Sequence, residues 1–229
     1  MRLILVRHGS TEWNESGRRQ GHQDVPLSEL GRWQVQALSA RLMSVPIDAV
    51  YSSDLSRATE TARVIIGERD LAIQVDQRLR EVCFGRWEGL NHEEIEAQFP
   101  REWQRWLESP VEARPPEGES FSDLAIRVWR AIGDLVGDGL RTGALNAVPR
   151  EWPLTAVVAD PRSVLVVTHG AAIAVLLTQL LGQELSRYWQ YSIRPASLTI
   201  LDLYPLGAIA AVIGDTGHVE AGTRFAAPV

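Results

Sequence analysis

The chain has one cysteine, Cys83, among 229 residues. That excludes an intramolecular disulfide and a cysteine-built metal cluster, and it fits a reducing compartment. Basic residues are outnumbered: 23 Lys and Arg stand against 29 Asp and Glu, for a net charge of −6. A chain of that sign is a poor binder of nucleic acid or anionic membranes, although a local basic pocket for a small anion remains open. No apolar run is long enough to span a bilayer. Leu3 to Val6, close to the start, is too short even for a signal peptide. The expected location is therefore the cytoplasm, with no membrane and no nucleic acid among its partners. There is no Gly-x-x-x-x-Gly-Lys nucleotide loop, no His-Glu-x-x-His and no paired Asp cluster. Only five histidines are available to any chemistry: His8, His22, His92, His169 and His218.

What remains reads as an ordinary globular chain, 45% hydrophobic and 23% charged, of one-domain length. Arg2 to Arg7 is continuous and apolar at its centre, as a buried strand is. Ser28 caps a helix running to about Met43. Asp48 to Ser52 is a second strand, and a helix capped by Ser53 or Asp54 runs to Ile66 and ends at Gly67. Ile73 to Val75 is a third strand. Asn91 to Phe99 is a short helix stopped by Pro100. Phe121, Leu124, Ala125, Val128, Ile132 and Leu135 form one stripe of a helix over Ser120 to Val136. Residues 137–162 have no sustained period and read as an irregular insertion, with a short strand at Leu154 to Val158. Ser163 to Thr168 is a strand, Gly170 to Leu181 a helix, and Leu198 to Leu203 and Ala208 to Ile213 are late strands. Strands alternating with helices predict a three-layer α/β/α sandwich around a mostly parallel sheet, in one domain spanning 1–229.

Two strands end in a His-Gly pair. Leu3 to Val6 leads into Arg7-His8-Gly9, and Val164 to Val167 leads into Thr168-His169-Gly170. The ends of parallel strands are where open α/β sheets bind ligands, and glycine lets the backbone turn sharply there. A lone histidine after a strand is more often a satisfied loop residue, but two in the same context are harder to dismiss. Arg7 and Arg57 carry planar forks suited to phosphate oxygens. Taken alone, Arg57 reads equally well as the surface partner of Glu60, Glu68 or Asp54. His92-Glu93-Glu94 is the exposed face of a short helix, and His22 and His218 have no catalytic role. Trp103, Trp106 and Trp129 are core residues by default, with Trp103 and Trp106 alternatively part of a cover over the pocket. Cys83 is a small apolar filler.

The stretch Leu5-Val-Arg-His-Gly-Ser-Thr-Glu-Trp-Asn14 resembles the opening signature of the histidine phosphatase superfamily, the phosphoglycerate-mutase-like proteins. The resemblance continues in family order through Gln20-Gly21, Asp24-Val-Pro-Leu-Ser28, Gly31, Ser52-Ser-Asp-Leu-Ser-Arg-Ala-Thr-Glu-Thr-Ala62, Leu79-Arg-Glu81, Phe84-Gly-Arg-Trp-Glu-Gly89, Pro115-Pro-Glu-Gly-Glu-Ser120 and Val167-Thr-His-Gly170. It implies a phosphoglycerate-mutase-like fold and a phosphohistidine intermediate. By resemblance His8 is the nucleophile, Arg7, Arg57 and His169 neutralise the phosphoryl oxygens, and Glu81 is the proton donor. Thr11 and Asn14 match polar phosphate contacts. Gln20 and Gly21 match contacts to the rest of the substrate, and Gly170 adjoins His169 at the phosphate. If Glu81 is not the donor, Glu12 or Glu88 is the next carboxylate to consider.

Mutases of this family typically carry a Trp-Arg-Arg, where this chain offers only Trp103-Gln-Arg105 and Trp106-Leu-Glu108. After His169-Gly170 it has Ala171-Ala172 where mutases usually place Asn. Phe84-Gly-Arg-Trp-Glu-Gly89 resembles the phosphatase branch. The expectation is a metal-independent phosphomonoester hydrolase with no cofactor, acting on a small phosphorylated metabolite. A cofactor-dependent phosphoglycerate mutase is the alternative, and a non-catalytic phosphate-binding regulatory module ranks below it. Substrate specificity is expected from Leu90 to Arg114, within a lid around 90–116. The composition leaves room for a homodimer.

Overall fold

A computed structural model describes residues 1–136, 162–204 and 207–223. The expected insertion over 137–162, and the strand at Leu154 to Val158 with it, lies outside the described residues apart from Arg162.

Six strands form one sheet. They are β1 (Arg2–Arg7), β2 (Ala49–Ser52), β3 (Ile73–Val75), β4 (Ser163–Thr168), β5 (Leu198–Tyr204) and β6 (Gly207–Asp215), in the order β3-β2-β4-β1-β5-β6. The first four in that order run parallel, β5 is antiparallel to β1, and β6 is antiparallel to β5. The fold is therefore α/β with a mixed, mostly parallel sheet.

Strand alternation builds two cores from the same strands. Leu3 and Leu5 of β1 and Val164 and Val166 of β4 face one side, with Val128 and Ile132 of α6 (Phe121–Val136) and Leu176 and Leu177 of α7 (Gly170–Leu180). Ile4, Val6, Leu165 and Val167 face the other, with Leu38 of α2 (Glu29–Leu42) and Ala58 and Ile65 of α3 (Ser56–Ile66). All six residues of β4 are buried, and polar Ser163 and Thr168 stand only at its two ends. Each fully buried aliphatic side chain contributes roughly 1.5–3 kcal/mol.

Three local readings change. The cap of α3 is Leu55, without a side-chain bond, rather than Ser53 or Asp54. Asp54 is drawn away by Arg80, which donates to both its oxygens at 2.7 and 2.5 Å, and the Ser56 N–H donates instead to Asp24 Oδ1 at 2.7 Å. Pro100 does end α4 (His92–Gln98), but it also opens α5 (Pro100–Glu108), because proline fits the first turn of a helix. Two short helices also escaped the sequence pattern, α1 (Glu12–Glu15) and α8 (Gly217–Thr223). Among the described residues, no helix is long and apolar enough to cross a membrane.

Candidate active site

β1 and β4 are neighbours in register, with Arg7 opposite Thr168. The residues that follow, His8 and His169, therefore leave the same edge of the sheet side by side. Their rings meet edge to face, 5.0 Å between centroids. The loop after β1 is pressed against the start of α2. A Cβ on Gly31 would lie 1.9 Å from the Ser10 carbonyl oxygen, so only glycine allows this approach.

A cavity of about 290 Å³ opens at this edge. Arg7, His8, Asn14, Gln20, Gly21, Arg57, Glu81 and Gly170 all line it. His169 does not; it is fully buried behind His8. Thr11 does not either. It is fully buried, and its hydroxyl caps α1 and bonds Asn14 Oδ1 at 3.2 Å, so it positions Asn14 instead of facing the cavity.

Arg57 is 1% exposed and is no surface salt bridge. Its Nη atoms donate to the carbonyls of Gln23 (2.7 Å) and Gly21 (2.8 Å). Glu60 is taken by Arg32 and Asp54 by Arg80. Arg7 donates to the Ile193 carbonyl at 2.7 Å. Burial lowers both guanidiniums, Arg57 to about 10, where it still carries its charge at neutral pH. The Nε atoms of Arg7 and Arg57, Gln20 Oε1 and both ring nitrogens of His169 are buried without a partner. Buried polar atoms are rarely left so, and their gathering around one cavity marks a place built for a polar ligand.

His8 Nδ1 lies 2.7 Å from the Gly9 carbonyl oxygen. A carbonyl only accepts, so Nδ1 carries the hydrogen and Nε2 holds a free electron pair. Burial, and then the charges of Arg57 and Arg7, hold the His8 imidazole well below its ordinary range. His169 is held down in the same way, first by burial and then by Arg57. Among the described residues, Glu81 is the one carboxylate on the wall of this cavity; Glu12 and Glu88 are absent from it. Its Oε1 accepts from the Val82 N–H at 2.9 Å and its Oε2 from the Ala171 N–H at 3.1 Å. The N-terminus of α7, which has no side-chain cap, adds the positive end of a helix dipole.

The family model described as the histidine phosphatase superfamily (branch 1) matches residues 3–145 and 153–216. The chain belongs to that superfamily. It is 32% identical to phosphoserine phosphatase 1 of Hydrogenobacter thermophilus over 204 residues, 89% of this chain and 87% of that one. It is 39% identical to glucosyl-3-phosphoglycerate phosphatase of Mycobacterium tuberculosis over 181 residues, 79% and 75% of the two chains. The solved structure of Bacillus stearothermophilus YhfR superposes with a TM-score of 0.81 at 33% identity, covering 95% of this chain and 98% of that one.

Within this histidine phosphatase several cavity residues had been given no place in the site from sequence. Arg19, Phe84, Phe121, Ala174, Tyr188, Trp189, Tyr191 and Ile193 line it. The stretch after α7 showed no periodicity to mark it. No residue of 90–116 lines the cavity, because α5 turns its apolar face inward. Trp103 and Trp106 stand edge-on to Trp87, and Trp106 also meets Phe84 and Phe121, which form the wall. The expected source of specificity, Leu90 to Arg114, thus lies behind the wall rather than on it. His22 helps to hold the strand of chain that carries Glu81. Its Nε2 lies 3.0 Å from the Glu81 carbonyl, to which Arg127 donates as well at 3.1 Å. Arg127 is itself paired with Glu119. Among the described residues, no group of three or more His, Cys, Asp or Glu could hold a metal ion.

Proposed function

We propose that this protein is a phosphomonoester hydrolase that acts on a small phosphorylated metabolite through a phosphohistidine on His8, without a metal ion. The observation that carries this reading is the neutral His8 ring, its Nδ1–H held by the Gly9 carbonyl and its Nε2 pair free beside two buried guanidiniums. Phosphoryl transfer needs positioning and charge stabilisation more than covalent help, and Arg7, Arg57 and the α7 N-terminus supply both. His169 lies behind His8, its ring edge-to-face with the nucleophile's, and positions it.

His8 Nε2 attacks phosphorus and forms an N–P bond while the ester P–O bond breaks. Glu81 gives its proton to the leaving oxygen. Water then attacks phosphorus, its proton returns to Glu81, the N–P bond breaks, and inorganic phosphate leaves with His8 neutral again. A volume of about 290 Å³ suits a small metabolite.

The test is a trap. Phosphohistidine survives alkali and not acid, so alkaline quenching during turnover of a labelled phosphomonoester should leave label on the wild type and none on His8→Ala. Label retained by His8→Ala would remove His8 from the nucleophile's role.

A further inference from the structure

Two adjacent arginines leave the loop after α1, and they end differently. Arg18 is paired: it donates to the Gly89 carbonyl and to both oxygens of Glu94. Arg19 lines the cavity, and its guanidinium lies 5.4 Å from the centre of the Phe84 ring. Its backbone is fixed by two bonds, N–H to the Leu90 carbonyl (3.0 Å) and carbonyl from the Gly89 N–H (2.8 Å). Among the described residues, no acceptor takes a hydrogen bond from its side chain. The Tyr188 hydroxyl, on the same wall, likewise has no partner among the described residues. Phe121 stacks on the Tyr188 ring at 4.1 Å and holds it in place.

The charges on the wall can be counted. Among the described residues, the charged ones on the lining are Arg7, Arg19, Arg57 and Glu81. A phosphoryl dianion is balanced by Arg7 and Arg57. Glu81 must be protonated to deliver its proton, so in the reactive complex it cancels nothing. In the resting site the Glu81 charge acts on Arg19; once Glu81 holds its proton, the Arg19 guanidinium is left over. It is desolvated on one face by Phe84 and pre-positioned by its backbone. A partly buried cation without a counter-charge is costly, and a ligand that supplies one recovers that cost.

We infer that Arg19 is a specificity-determining residue that receives a carboxylate on the substrate, so that the preferred substrates are phosphomonoesters carrying one carboxylate beside the phosphoryl group. This rests on the hydrolase reading above. A single carboxylate matches the one unbalanced charge, whereas a second phosphoryl dianion would overshoot it. The planar guanidinium fork also fits a carboxylate edge-on. The Tyr188 O–H is a second donor for the same group.

The experiment compares substrates that differ only in the carboxylate: O-phosphoserine and O-phosphoethanolamine, each against wild type, Arg19→Met and Arg19→Lys, with p-nitrophenyl phosphate as a general phosphomonoester. The wild-type ratio of kcat/KM, phosphoserine over phosphoethanolamine, should be about 10- to 100-fold, the range for a hydrogen bond to a charged group. Arg19→Met should bring the ratio close to one, mainly through KM for phosphoserine, and Arg19→Lys should restore part of it. A wild-type ratio near one overturns the inference whether or not the variants fold, and so does a ratio that survives Arg19→Met. Those failures are separate from failure of the hydrolase reading, which would appear as no turnover of any of the three esters by the wild type.

Discussion

Replacing Glu81 by Gln tests the proton donor, and the structure sets the size of the effect. Both carboxylate oxygens accept a backbone N–H, from Val82 at 2.9 Å and Ala171 at 3.1 Å. An amide has one oxygen, so the substituted side chain keeps one of these bonds and turns its NH₂ toward the cavity. The displaced N–H is next to a half-buried, accessible group, so the loss is that of one ordinary hydrogen bond, about 1 kcal/mol or roughly fivefold in rate. That loss falls on every substrate alike. Loss of the proton does not. An alkyl phosphate needs a proton on its departing oxygen, and removing a general acid costs roughly 100- to 10,000-fold. A nitrophenolate departs unaided and should show little beyond the shared fivefold. The assay is kcat/KM of wild type and Glu81→Gln on glycerol phosphate and on p-nitrophenyl phosphate. The expected outcome is a ratio between the two losses of about 100 or more. Equal losses on both would mean that Glu81 positions the substrate without donating a proton, and among the described residues no other carboxylate lines the cavity to take its place.

His8 and His169 are held neutral by burial, so unfolding lets each take up a proton near its ordinary value of about 6.5. Their folded values are depressed, so this contribution to stability is intact above pH ~6.5 and is lost as the pH falls below it, by about 1.4 kcal/mol per unit for each ring. Urea unfolding between pH 6.5 and 5 should show that slope, and His8→Gln should reduce it by about one ring's share; an unchanged slope would contradict the burial argument. Turnover in excess EDTA should stay within about twofold of the untreated rate, and complete loss restored by a divalent ion would refute a metal-free reaction. Gly31→Ala must push α2 away from the Ser10 carbonyl by about an ångström or more, given the 1.9 Å approach. Overpacking of that kind costs about 1–3 kcal/mol, and a shift of that size beside His8 about 100-fold in kcat/KM. A thermal melt and steady-state rates read both, and wild-type values in both would show that the loop has slack.

The layered α/β architecture was legible because burial on both faces of β1 and β4 leaves an unbroken apolar run, and a run that ends abruptly in a polar turn marks a strand tip. The same reading located His8 and His169, since a His-Gly pair at each of two tips is a local pattern. Ordered motif blocks added Glu81 and Arg57, whose roles no local period could show. Other features depended on contacts between distant segments. Asp54 caps nothing because Arg80, 26 residues away, takes it. Thr11 is turned inward by Asn14, and the tryptophans of α5 are drawn behind the wall by Trp87. The cavity's far side comes from 188–193, a stretch without periodicity that reaches the site only because the chain doubles back after α7 and brings the Ile193 carbonyl to Arg7. Arg18 and Arg19 are indistinguishable in sequence. One is neutralised by Glu94, 76 residues away, and the other is left facing the cavity. A sequence lists which charges exist; only the folded chain decides which of them find partners, because pairing is set by distance in space and not along the chain.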